Sequence, residues 1–410
     1  MTFAKRYRSS AMARLVHIAV TFALLTALAQ AQSITVLHNF TGTGDGGRSQ
    51  AGLTIDRAGN LYGTTTWGGT GGAGVVFRLA HAGSGWVLTT LYNFDYNANG
   101  AYPESGVIFG PDGSLYGMTG EAGQYGYGVV YRLRPSPAAC KSADCPWEET
   151  VLYSFTGGAD GKYPGHANVV FDQAGNLYGT TTSGGDENGG VVFKLTPSNG
   201  GWIQSTLWSF ATQGGGSAPE SGVIFDSAGN LYGTTNYGGT YDAGIVYELS
   251  PSGSGWTEQT LASIAFPNTN TCGGVVMDGE GNLFGAAGCF AYGYPGGVFE
   301  LTPSNGAWTF NVLHAFSPGG SVEGPWDTPT LDAAGNVYGT SISTGAFGAG
   351  EVFKLTPSNG GWIFTSLASF DSTNGASPVG SVIVDAAGNI YGTTFSGGAD
   401  GYGTVWEITP

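Results

Sequence analysis

Asp226-Ser-Ala-Gly-Asn-Leu-Tyr-Gly-Thr-Thr235 is the stretch that decides how this 410-residue chain folds. Ser227-Ala-Gly229 reads as a tight turn, because Gly and Asn accept the positive φ that short hairpins need. Leu231 to Thr235 then reads as a strand. Upstream, Gly222-Val-Ile-Phe-Asp226 is a short apolar run, the pattern of a strand covered on both faces. Downstream, Asn236 to Gly244 is a Gly-rich loop and Ile245-Val-Tyr-Glu-Leu249 a third strand. Pro251-Ser-Gly-Ser-Gly255 turns the chain again, and Trp256 to about Ile264 is a fourth strand. Nothing in the unit has a helical period.

The unit recurs. Gly-Asn-Leu-Tyr-Gly stands at Gly59–Gly63, Gly175–Gly179 and Gly229–Gly233, with variants at Gly113–Gly117, Gly281–Gly285, Gly335–Gly339 and Gly388–Gly392. The second residue falls at 60, 114, 176, 230, 282, 336 and 389, so successive units are 52 to 54 residues apart except at one step, lengthened by an insertion from Pro135 to Pro146. A four-stranded sheet apolar on both faces cannot stand alone in water. Seven such sheets bury their faces by packing around an axis, which predicts an all-β, seven-bladed β-propeller with four antiparallel strands per blade. A β-solenoid would need a much shorter coil.

The ends fit that arrangement. The last unit stops after a third strand, Gly403-Thr-Val-Trp-Glu-Ile408. Ser33-Ile-Thr-Val-Leu-His-Asn-Phe40 aligns with fourth strands such as Thr206-Leu-Trp-Ser-Phe210 and Val151-Leu-Tyr-Ser-Phe155. The N-terminal strand is therefore expected to complete blade seven, close the ring and hide two sheet edges.

Residues 1–31 read differently from the rest. Lys5, Arg6, Arg8 and Arg14 precede an apolar run from Leu15 to Leu28, and Ala29-Gln-Ala31 offers small residues where a signal peptidase cuts. This is the grammar of a secretory signal peptide, too short to span a bilayer comfortably. Residue 32 is Gln rather than the Cys of a lipoprotein. No later stretch reads as a membrane span, and the chain stops at Pro410 without a hydrophobic tail. A soluble, exported, monomeric protein is expected, with residues 32–410 as one domain. Beyond residue 31 the chain carries nine basic against 29 acidic residues, a balance of −20. A surface of that sign repels phosphate backbones, so nucleic acid is excluded as a partner.

Several recurring residues read as scaffold. Asp172, Asp226, Asp332 and Asp385 each lie three residues before the Gly of the Gly-Asn pair, placed to accept backbone N–H groups at the head of a hairpin. Gly179 and Gly233, inside the second strand, suggest close approach of a neighbouring backbone. Trp86, Trp202, Trp256, Trp308 and Trp362 open the fourth strand and read as anchors over the blade's outer end.

Four cysteines in an exported chain suggest two disulfides. Cys272 and Cys289 stand at equal distances either side of a turn centred between Glu280 and Gly281, so they should face each other across strands one and two of blade five. Cys140 and Cys145 both lie in the insertion of blade two and can tie that loop. A zinc site is disfavoured, since none of the five His is near them.

In a blade the connections entering strand one and those joining strands two and three share one face, and the hairpin turns share the other. The hairpins repeat closely, whereas the first face varies, and function concentrates on variable loops held by a rigid scaffold. The entering connections carry Gln50, Glu104, His166, Glu220, Trp326 and Asp327. The second loops carry Trp67, Tyr125, Tyr237, Tyr241, Tyr292, Phe395 and Tyr402. Rings that stack on sugars beside carboxylates that bond hydroxyls suit an extracellular glycan, and the same composition suits a protein partner. Gln50 apart, these residues form the expected ligand-binding set. No catalytic constellation, metal site or cofactor is evident. The alternative is a propeller hydrolase or lyase in which Glu104, Glu220 and Asp327 meet near the axis, holding Ca²⁺ or acting as an acid/base set with His166.

The repeat D-x-A-G-N-L-Y-G-T-T…G-G…G-x-V-F-x-L-T-P resembles the GloVer tandem repeat of exported bacterial proteins, over essentially all of the chain after residue 31. The resemblance implies export and a repeat architecture, and it brings no activity or catalytic residues with it. Members often end in a surface-sorting anchor, and none is visible at Thr409-Pro410. Blade two, with Gly110-Pro-Asp-Gly-Ser114, and blade five, with Ala286-Ala287 in place of the paired Thr, depart most from the pattern.

Overall fold

The computed structural model describes residues 32–136, 147–164, 166, 168–212, 215–266, 269–289, 296–316 and 324–410. The signal-peptide segment, the Cys140–Cys145 pair and Tyr292 lie outside them. The chain divides into Met1–Ser33 and Ile34–Pro410, and the second unit is a seven-bladed β-propeller. Every regular element among the described residues is a strand.

The blade quoted first shows the pattern. Ile224–Phe225, Leu231–Thr234, Ile245–Ser252 and Gly255–Ser263 pair antiparallel in that order. The innermost strand is shorter than its apolar run, two residues rather than five. The third is longer and carries Pro251 opposite Trp256, so the turn contracts to Gly253-Ser254. In blade five the corresponding Asn305-Gly306 turn has φ of 50° and 81°, the left-handed pair a two-residue hairpin demands. Blade three adds a fifth short strand, Lys162–Pro164.

Ile34–Asn39 pairs antiparallel with Thr404–Ile408 and so supplies the fourth strand of blade seven. The pairing of third and fourth strands slips by one residue at the same place in every blade, including this one. The extra residue is Leu in every blade: Leu37, Leu91, Leu152, Leu207, Leu261, Leu313 and Leu367. A bulge re-aims a side chain, and here it turns Leu into the space between blades.

That space holds the core. Seven hydrophobic clusters occupy the seven contacts between successive blades. One of them joins the last blade to the first, with Tyr391, Val405 and Phe40 against Leu53, Leu61 and Phe77. The fourth-strand tryptophans serve these contacts as well as the outer end. Trp86, Trp308 and Trp362 lie edge-on to Tyr391, Tyr232 and Phe284 of the preceding blade, centroids 5.9–6.5 Å apart.

The second-strand glycine has a different cause from the one its sequence suggests. Gly179 lies opposite Phe193 of its own blade's third strand, and a Cβ there would meet the ring at 2.7 Å. Gly233 stands likewise under Tyr247. An aromatic ring from the same sheet, not a neighbouring backbone, excludes a side chain.

The hairpin aspartates are scaffold. Asp172 Oδ1 accepts from the backbone of Ala174 and Asn176, both at 2.9 Å, and Oδ2 accepts from Asn176 Nδ2 and the Tyr178 hydroxyl. Asp226, Asp332 and Asp385 repeat this set. Partial burial alone would push these carboxyls up. The hydrogen bonds outweigh it and hold them below the usual range.

Cys272 and Cys289 form a disulfide with Cα atoms 6.0 Å apart. The strand register pairs Met277 with Leu283, one residue away from the symmetric arrangement, so the two are not directly opposed. They lie beyond the paired strands, where Asn270 bridges Cys289.

Candidate functional site

The axis of the propeller is a shaft of about 460 Å³ walled by the innermost strands. Its flanks are apolar, with Leu53, Ile55, Val170, Ile224, Val275 and Ile383 among them. Its mouth is not. Gln50, His166, Glu220, Cys272, Trp326, Asp327 and Val379 surround it. Six of these seven, Asp327 being the exception, occupy one repeat position, ten residues before the Asn (or its equivalent) of each Gly-Asn pair. The seventh residue at that position is Glu104, whose Oε2 lies 4.0 Å behind His166 Nε2.

The backbone aims this ring. Arg48, Tyr102, Tyr163, Ala218 and Ser377, just ahead of the ring position, all have φ between 53° and 58°. Left-handed backbone costs a non-Gly residue roughly 1–2 kcal/mol, and strain of this kind collects where a side chain must be presented. The connections are pinned to the second loops of their own blades through Gly47 with Trp67, Ala101 with Glu121, Ser217 with Tyr237 and Ala376 with Ser396.

Of the predicted carboxylates, Glu220 and Asp327 border the mouth and Glu104 stands behind His166, and their surroundings differ. Burial pushes Glu104 up, and His166 partly offsets it. Burial raises Glu220 too, opposed by His166 and the Asn236 amide; its Oε2 is sealed from solvent with no hydrogen-bond partner among the described residues. Asp327 sits one position past the ring. Its half-buried carboxylate is taken by the backbone N–H groups of Thr328 and Ser381, each at 2.6 Å, which binds blade six to blade seven. No three His, Cys, Asp or Glu side chains among the described residues are grouped to hold a metal ion. The geometry thus gives the axial calcium idea no support.

Around the mouth runs an aromatic rim. Trp67, Tyr125, Tyr237, Tyr241 and Tyr402 are exposed, as expected for second loops. Tyr96, Tyr163 and Phe347 are exposed on the same face. Phe395 is half-buried, with the Arg48 guanidinium 5.1 Å from its ring centroid. Tyr102 links rim to ring, 5.3 Å from Trp67 and 4.9 Å edge-on to Tyr96, two residues before Glu104. Every exposed aromatic among the described residues lies on this face. The exposed aliphatics Val87, Ile203, Val312 and Ile363 lie instead on outer strands.

Sequence reasoning missed Cys272 and Val379 as ring members, and Tyr96, Tyr102 and Tyr163 as parts of the rim. Counting ten residues back from each Asn would have found the first two. The tyrosines sit on the entering connections, where the reading singled out polar groups and Trp326.

The Gloeobacter/Verrucomicrobia repeat matches residues 22–166, 146–293 and 259–410. The chain belongs to this repeat family. No curated protein matches it in sequence. Among solved structures it is similar to a Thermus thermophilus protein provisionally described as an oxidoreductase (glucose dehydrogenase), at 14% identity and a TM-score of 0.43, over 74% of this chain and 95% of that one. It is also similar to a protein of unknown function from Dyadobacter fermentans, at 12% identity and a TM-score of 0.41, over 81% and 96%. Neither likeness bears on what this family member does.

Proposed function

We propose that this repeat-family protein is an exported binding module that takes an extracellular polysaccharide on the face bearing the aromatic rim and the axial mouth. The observation that carries this reading is the one-sided distribution of exposed aromatics. Leaving a large ring in water is unfavourable, and patches kept so on a rigid scaffold mark contact sites. Flat rings stack on the C–H faces of sugars, and carboxylates beside them accept hydroxyl hydrogens. Export is part of the proposal. It rests on the basic, apolar and small-residue order of residues 1–31 and is compatible with the Cys272–Cys289 disulfide. No helix among the described residues is long and apolar enough to cross a membrane.

A glycan array on residues 32–410 tests it, beside a Trp67→Ala/Tyr237→Ala double variant and an Ile363→Ala control on an outer strand. Binding by the wild type and the control that the double variant loses tenfold or more is the expected result. Absence of binding to every glycan would overturn the polysaccharide reading and leave a surface protein as the partner. The convergence of Glu104, His166 and Glu220 favours a second reading, a hydrolase or lyase using them as acid and base; shortened products after incubation with a bound glycan would establish it.

A further inference from the structure

The ring position behaves unlike the positions around it. Three residues further on, six blades carry Val or Leu: Leu53, Val107, Val169, Val223, Val275 and Val382. The position just after the ring is small in most blades, with Ala51, Ser105, Ser221, Gly273 and Gly380. The ring itself carries Gln50, Glu104, His166, Glu220, Cys272, Trp326 and Val379, six residue types in seven blades, and all but Glu104 border one cavity. Packing does not call for this variety, since every blade meets the axis through the same backbone. Asymmetry imposed on a symmetric scaffold is what an asymmetric ligand requires.

The chemistry of the ring narrows the ligand. Glu220 Oε2 is an acceptor shut off from water with no hydrogen-bond donor among the described residues, the Asn236 amide acting on the carboxyl without reaching this oxygen. A buried acceptor left unmade costs about 1–3 kcal/mol, more for a charged group. Glu104 stands nearby and adds negative potential, and its approach to His166 is 4.0 Å, too long for a hydrogen bond. The Asp327 carboxylate is already used by two backbone donors. Among the described residues bordering the mouth only His166 can carry positive charge, and it makes no hydrogen bond to Glu220 Oε2, so this oxygen still lacks a compact charged donor. The Trp326 indole borders the same space, and an aromatic face favours a cation. We infer that the axial mouth is a subsite for a protonated primary amine, seated against Glu220. The inference rests on this face being the binding face. The amine could be borne by an amino sugar or by an alkyl chain, for which the apolar shaft below offers room.

Titration calorimetry with three probes tests the subsite: a glucosamine hexamer, its fully N-acetylated counterpart, and n-hexylamine at neutral pH. Wild type is compared with Glu220→Gln and with Gln50→Glu, which adds a carboxylate to the same ring. At least one amine probe should bind, Glu220→Gln should weaken it tenfold or more, and Gln50→Glu should tighten it. Glucosamine binding at least tenfold tighter than the N-acetylated hexamer assigns the amine to a sugar. Binding of hexylamine alone keeps the subsite and sinks the polysaccharide reading. Equal binding of the two hexamers, or binding indifferent to Glu220→Gln, overturns the subsite while leaving that reading intact. Binding of none of the probes also overturns it.

Discussion

Glu149, on the outer strand Trp147–Ser154, is a carboxyl held in surroundings unlike water. Burial pushes its carboxyl up to about 7, and its Oε1 is sealed from solvent without a hydrogen-bond partner among the described residues. Its charge also raises the Tyr131 phenol, which burial has already pushed up further. A carboxyl raised from 4.5 to about 7 binds more protons folded than unfolded in that interval, so its contribution favours folding below about pH 4.5 and is lost as pH rises to 7. Melting temperature should therefore fall between pH 5 and pH 7.5, and Glu149→Gln should flatten the decline by roughly 3 °C. A variant that melts with the wild-type pH slope would contradict this. Residue roles were unevenly legible. The hairpin aspartates could be read from sequence because their partners lie two to six residues away. The glycine under Phe193 could not, because its cause lies across a strand pair.

At the scale of the element, hydroxyls tie the blades together. The first Thr of the Thr-Thr pair donates to a backbone carbonyl of the next blade: Thr64 to Ser105, Thr180 to Ser221 and Thr234 to Gly273, each at 2.8 Å, and Thr393 to Ala51 at 3.1 Å. The second Thr pins its own loop, as Thr181 does by donating to Ser183 and accepting from Val191. Blade five has Ala286-Ala287 and can make neither bond. Its disulfide joins the entry of the first strand to the exit of the second, where the lost hydroxyls would have acted. The disulfide lies within blade five, so it can stand in for the bond that pins the blade's own loop but not for the one to the next blade; comparing the blades in sequence hints at this link but cannot place it. Cys272→Ala/Cys289→Ala should lower unfolding free energy by about 3 kcal/mol, as expected for a loop of this length. Urea denaturation measures it, and an unchanged midpoint would show the tie to be dispensable.

The whole molecule is where sequence spoke most clearly and function least. Seven copies of one phrase predict seven blades, because a sheet apolar on both faces has to find two neighbours. Symmetry also hides the site. Every blade sends a residue to the mouth, so no single motif announces chemistry, and which residues meet depends on the rotation between blades. Glu104, His166 and Glu220 could be named from the chain, but their meeting is a property of the assembled array. That array depends on Ile34–Asn39, which pairs with the last strand and brings Phe40, fully buried, to the contact between last and first blades. Gln50 and Val379 flank the same contact, so the mouth holds its shape only while that contact holds. The decisive measurement is calorimetric melting of residues 32–410 beside the same chain lacking 33–40. Burying a Phe is worth about 3–5 kcal/mol, and the strand adds its ladder. The shortened chain should melt roughly 10 °C or more below the full one, or fail to fold. Coincident melting curves would contradict a propeller held together by pairing of its first and last strands.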